Sequence, residues 1–198
     1  MIRNNIFLLS VISCIFFLVA CGNKANKGSE QEGLDTLWNA KVQDTFYGAT
    51  FGEPTDNVIS QLEAQGFSLQ EDISTDALLH FRPQNSNVFT FGDMSWQMLD
   101  VFTSNKVFTG IRFMNAYVDK ASAEAEYDTT EGALASKYRL TNKTPKDTTI
   151  YNRKLIFGRN NVIAVIRCFR YETISHNIMI ANSLEYYSNQ NYGVNDDL

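Results

Sequence analysis

Two histidines, His80 and His176, and three cysteines, Cys14, Cys21 and Cys168, are the scarce reactive side chains of this 198-residue chain. Neither histidine sits at a metal-ligand spacing: His-Glu-x-x-His, Cys-x-x-Cys and His-x-His are all absent. A zinc site would need carboxylates gathered from distant segments. Each histidine therefore reads as a structural or surface residue. Ser175 adjoins His176, but neighbours along a strand point to opposite faces and cannot pair as nucleophile and base. Cys168 shares a strand face with Val162, Ala164 and Ile166, while Arg167 points to the other face. A cysteine in that setting is a small buried hydrophobe; a reactive thiol needs exposure and a cationic neighbour. Glu124, Asp128 and Glu131 recur at helical spacing. Such a stripe could bind calcium or serve as an acid/base pair, but without an EF-hand loop it reads as a solvated helix face. No Gly-x-Ser-x-Gly, Gly-x-Gly-x-x-Gly or phosphate-binding loop occurs. The expectation is a non-enzymatic protein with no catalytic residues, no metal and no cofactor.

The elements that would carry these residues follow from periodicity. An aromatic and β-branched run predicts one strand over 45–51. Thr55 is placed as the cap of a helix over 56–65, with Val58, Ile59 and Leu62 on its apolar face and Gly66 as its left-handed stop. Alternation then predicts strands over 77–82, 87–91, 94–103 and 106–116, with Gly92-Asp93 and Ser104-Asn105 as turns. Asp119 opens a longer helix to about residue 138. Its core face is Ala123, Tyr127, Leu134 and Tyr138, and Thr129, Thr130 and Gly132 weaken its middle enough to allow a kink. Strands over 148–157, 162–171 and 176–187 complete the chain. Short turns and no crossover helices predict an antiparallel sheet in an α+β fold. Two related helix-then-sheet units are a further expectation.

Composition sets outer limits. Hydrophobic residues make up 44% and aromatics 13% of the chain, which excludes wholesale disorder. Seventeen basic side chains face 22 acidic ones, so the chain lacks the basic surplus that nucleic-acid binding wants. Trp96, in a strand with Met94, Met98 and Phe102, reads as a core ring. Tyr186, Tyr187 and Tyr192 cluster near the carboxy terminus and stand open between core and an exposed binding surface.

The amino terminus reads as an address. Arg3 precedes fifteen apolar or small residues, Ile6 to Ala20. These fall short of the roughly 20 needed to span a bilayer, and the pattern is that of a secretory signal. Leu18-Val19-Ala20-Cys21 resembles the lipobox of bacterial lipoprotein precursors. The resemblance covers the first 21 residues. It implies cleavage before Cys21 and acylation of its thiol and amine, giving two or three chains, enough for stable anchoring. Gly22, where an aspartate often marks inner-membrane retention, points to the outer membrane. The first acid after the cysteine is Glu30, which favours a periplasm-facing position over the surface export seen in Bacteroidetes. Three Asp-Thr triplets, at Asp35, Asp128 and Asp147, resemble the O-glycosylation motif of the same clade. The expected organisation is a signal over 1–20, a flexible tether over 21–33, one α+β domain over 34–187 and a loose tail over 188–198.

The segment Phe46-Tyr47-Gly48, Phe51-Gly52-Glu53-Pro54-Thr55 and Val58, closed by Leu62 and Gly66, resembles a pattern of small envelope lipoproteins. It is similar to the outer-membrane lipoprotein of the β-barrel assembly machinery and to the β-lactamase-inhibitor-protein-like fold, over about 25 residues. That resemblance implies protein binding without catalysis. The expectation is a membrane-anchored envelope lipoprotein that binds another envelope protein. The alternative is a small ligand or glycan held between sheet and helices.

Overall fold

The computed structural model describes residues 38–188 apart from 144, 146 and 174. Cys21, the expected signal and tether, Tyr192, the Asp35 triplet and the tail beyond 188 lie outside the described residues. The strands are β1 (Trp38–Asn39), β2 (Thr45–Phe46), β3 (Ala49–Thr50), β4 (Phe67–Leu69), β5 (Leu78–Pro83), β6 (Phe89–Phe91), β7 (Met94–Trp96), β8 (Met98–Ser104), β9 (Val107–Tyr117), β10 (Thr141–Asn142), β11 (Ile150–Gly158), β12 (Val162–Glu172) and β13 (Ile178–Ser188). Two helices, α1 (Thr55–Ala64) and α2 (Lys120–Ala135), complete the described elements.

The fold is α+β. One sheet runs β1-β11-β12-β13-β9-β8-β5-β4, with β10 also on β11. Apart from β1, which precedes both helices, its two halves each follow a helix, and their last strands, β9 and β13, pair antiparallel at the centre. One edge departs from the expected antiparallel pattern: β1 pairs parallel to the end of β11. Asn39 fixes that edge, its Nδ2 donating to the carbonyls of Arg139 and Phe157.

Alternate strand residues divide the sheet into two faces. Both helices pack on the same one. Val58 and Leu62 of α1 and Ala123, Tyr127 and Leu134 of α2 enter one core with Leu99, Ile111, Phe113, Ile166, Cys168 and Leu184. Phe46 lies at its centre, within 6.5 Å of the rings of Phe51, Phe91, Phe108, Phe113 and Tyr186. The second helix is continuous. Asp119 caps it by accepting from Ser122 N at 2.8 Å, and it ends at Ala135, before Tyr138. Thr129 and Thr130 return their hydroxyls to the carbonyls one turn back, so neither breaks it.

Three local expectations are corrected. The strand expected over 45–51 is the hairpin β2–β3, turned by Tyr47 at φ 52° and Gly48 at φ 95°. Glycine takes that conformation without a Cβ penalty. Tyr47 is held there by its ring on Phe67, 5.0 Å between centroids, and by its hydroxyl donating to Thr90 O. The run expected as a strand over 94–103 divides at Gln97 into β7 and β8, and β6–β7 leaves the main sheet as a separate hairpin. Its rings draw it over the helix-side core: Phe91 stacks on Phe113 at 3.9 Å and Trp96 is fully buried. The vacated place beside β5 is taken by β4, which no strand expectation covered. Finally, Thr55 is the first residue of α1 and not its cap. Pro54 holds that position without a side-chain bond, and Thr55 Oγ1 is buried with no hydrogen-bond partner among the described residues.

Candidate functional site

The opposite face of the sheet carries no described helix, and charges lie in register across it. His80 of β5 stands opposite Asp100 of β8, Asp100 opposite Arg112 of β9, and Arg112 opposite Glu185 of β13. Arg167 of β12 stands one diagonal step from Glu185, opposite Ser183. Each occupies an outward position of a strand whose alternate residues fill the core. Cross-strand neighbours on one face lie close enough for side chains to meet, and these do.

Asp100 is the hub of the first group. One carboxylate oxygen accepts from Arg112 Nε at 2.9 Å and Nη2 at 2.6 Å; the other lies 2.7 Å from His80 Nδ1. Burial pushes the Asp100 carboxyl up, but Arg112 and His80 outweigh it and hold the group below the usual carboxylate range. Glu185 is the hub of the second. It accepts from Arg167 Nε and Nη2, from Ser183 Oγ and from the hydroxyl of Tyr187. It is fully buried, and burial again raises its pKa while Arg167 and Arg112 bring it lower than an ordinary glutamate. Two carboxylates thus meet two guanidiniums, and the buried set is neutral. A desolvated charge persists only when so compensated.

Beside the first group a cavity of about 460 Å³ opens on this face, within the ~300–1,000 Å³ of small-molecule sites. His80, Asp100, Arg112 and Tyr171 give it polar walls, and Met98 and Met114, opposite each other across β8–β9, an apolar floor. The donor balance is uneven. Asp100 has spent both oxygens, while Arg112 Nη1 and the Tyr171 hydroxyl have no hydrogen-bond partner among the described residues. Arg82, on the rim, gives Nη1 to Gln97 O and enters no ion pair among the described residues. On the other side of Arg112 a smaller cavity, about 220 Å³, is lined by Phe102, Arg167, Phe169 and Tyr187. A third, about 410 Å³, lies where α2 meets β10 and β11 and is bridged by Glu131 and Lys154 at 2.9 Å.

The residues singled out from sequence scatter. Cys168 is buried on the helix face, and burial pushes its thiol up to about 11. His176 lies in a turn before β13, not in a strand, with Nδ1 2.6 Å from Glu172 Oε1. Ser175 shares that turn, so strand parity is not what separates the two; Ser175 lines the 460 Å³ cavity along with His80. Glu124 pairs with Lys120 at 3.1 Å and Glu131 with Lys154. Among the described residues no three His, Cys, Asp or Glu side chains gather as a metal site. Trp96, Tyr186 and Tyr187 are all buried, so none forms part of an exposed aromatic patch.

Asp100, Arg112, Arg167 and Glu185 were not among the sequence candidates. A signal existed: Arg112 in β9 and Glu185 in β13 are each the only charge of an eleven-residue strand. No helix among the described residues is long and apolar enough to cross a membrane. No family model, curated protein or solved structure matches the chain.

Proposed function

We propose that this chain is a lipid-anchored envelope protein, held at Cys21 to the outer membrane and facing the periplasm, that captures a small ligand without chemical change. The lipobox supports the anchor. The observation that carries the ligand is the cavity on the helix-free face, where unspent donors surround an apolar floor. That is the usual build of a small-molecule site. Binding fits better than catalysis: no serine, threonine or cysteine hydrogen-bonds the ring of His80 among the described residues, and a nucleophile needs such a base.

The ligand reading takes precedence over an envelope-protein partner because the rings that suggested a docking surface lie inside. Among the described residues the exposed large hydrophobics are Val88, Val118 and Ile178, too few there for the contiguous patch a stable interface presents.

The test is a thermal-shift screen of the lipidated chain in nanodiscs, against sugars, organic acids, alcohols and peptides. A ligand at one hundred times its dissociation constant adds about 2.7 kcal/mol, and each kcal/mol moves Tm by roughly 2–4 °C for a domain of this size. A reproducible, dose-dependent shift supports capture. No shift from any class, together with cross-linking of the native protein to one envelope partner, would restore the protein-binding reading.

A further inference from the structure

We propose that the ligand of this cavity is an organic monoanion, a carboxylate on a short apolar body. This rests on the capture reading above and names its chemistry. The argument is one of unspent groups. Both oxygens of Asp100 are taken by Arg112 and His80. Glu172, also in the lining, has Oε1 2.6 Å from His176 Nδ1. The Asp100 carboxylate, the buried acid of this cavity, is therefore already engaged on both oxygens by the protein's own donors. Donors remain among its lining residues: the Tyr171 hydroxyl and the part of the Arg82 guanidinium that Gln97 O does not use.

The charge count points the same way. Asp100 and Arg112 cancel, as do Glu185 and Arg167. The lining also holds Arg82 and Glu172: Glu172 is engaged by His176, whereas Arg82 has no carboxylate within ion-pair reach among the described residues, so the Arg82 corner of the cavity lacks a matching acid. Burial raises the Tyr171 hydroxyl above its usual range and Asp100 adds to the rise, while Arg82 and Arg112 both oppose it. A single carboxylate satisfies such a corner: a guanidinium edge donates to it with a charge-assisted bond. The floor beside the corner is two methionine side chains, which fit irregular apolar shapes. A bare inorganic anion would leave that floor uncovered, and a neutral apolar molecule would leave the donors unpaired.

The experiment uses the lipidated full chain in nanodiscs, with empty nanodiscs as control, and calorimetric titration of hexanoate, acetate, hexanol and inorganic phosphate. Hexanoate is expected to bind best. Acetate should be weaker by about fourfold for each methylene it lacks, and hexanol at least tenfold weaker. Arg82→Gln, on the exposed rim, should weaken hexanoate about tenfold and leave hexanol unchanged. Met98→Ala should weaken hexanoate and hexanol alike. Hexanol binding as well as hexanoate, or hexanoate indifferent to Arg82→Gln, would overturn the anion while leaving capture standing. Phosphate binding ahead of hexanoate would overturn the apolar body. Silence from all four, with a neutral sugar shifting Tm, would overturn the inference alone; silence from every class would overturn capture with it.

Discussion

Arg112 sets two of its nitrogens, Nε and Nη2, on the same oxygen of Asp100, across adjacent strands and almost out of water. Removing one member of a buried pair leaves the other charged and unmatched, which costs about 3–5 kcal/mol. Asp100→Ala should therefore lose stability on that scale in urea unfolding. Replacing the pair by Leu at 100 and Met at 112 should recover most of it. If Asp100→Ala unfolds within 1 kcal/mol of the natural chain, on the order of a surface pair, the pair contributes little.

The same carboxylates govern the response to acid. Asp100 and Glu185 both titrate below their unfolded values, because guanidiniums outweigh burial. A depressed carboxylate stabilises the fold at pH above the unfolded value, about 4, and that contribution fades as pH falls through it toward the folded one. The urea midpoint should hold from pH 7 to about 5 and then drop steeply. Glu185→Gln should start lower and fall less. A midpoint that stays level down to pH 3 in the natural chain would contradict the sign of both shifts.

Cys168 offers a kinetic readout of the helix-side core. Its thiol is fully buried among Ala164, Ile166 and Ala123, and burial pushes it up to about 11. The thiolate is the nucleophile, so an alkylating reagent near pH 7.5 finds neither access nor an ionised sulfur. Labelling of the native chain should run at least a hundredfold slower than in denaturant. Comparable rates would mean that α2 opens readily from β12.

Much of the fold was legible because it is written in short periods. Ala123, Tyr127 and Leu134 recur at helical spacing and pack as that spacing requires. Cys168 follows the alternation of β12 into the core. The hairpin at Tyr47-Gly48 was harder, since its first turn residue is a tyrosine and the contacts that hold it, to Phe67 and Thr90, are remote in sequence. The row from His80 to Glu185 was illegible for a stronger reason. Its members fall at 80, 100, 112 and 185, and only the register of four strands brings them side by side. Local pattern fixes which way each residue points, not which charge on another strand it will face.

Gly110 shows how closely that register is built. It lies opposite Tyr187 across β9–β13, and a Cβ at this position would stand 2.6 Å from Tyr187 Cδ1 and 3.1 Å from Tyr186 O. Real Cβ atoms do not approach that closely, so the ring must move. It is not free to do so: its hydroxyl donates to Glu185 and its face packs on Phe102 at 5.3 Å between centroids. Gly110→Ala should therefore cost about 1–3 kcal/mol, as overpacking does, and loosen the Glu185 cluster. The decisive comparison is a double-mutant cycle. With Tyr187→Ala in place, Gly110→Ala should become neutral or gain about 0.5–1 kcal/mol, the usual advantage of alanine over glycine inside a strand. Equal cost in both backgrounds would show that the Tyr186 carbonyl, and not the tyrosine ring, is what requires glycine here.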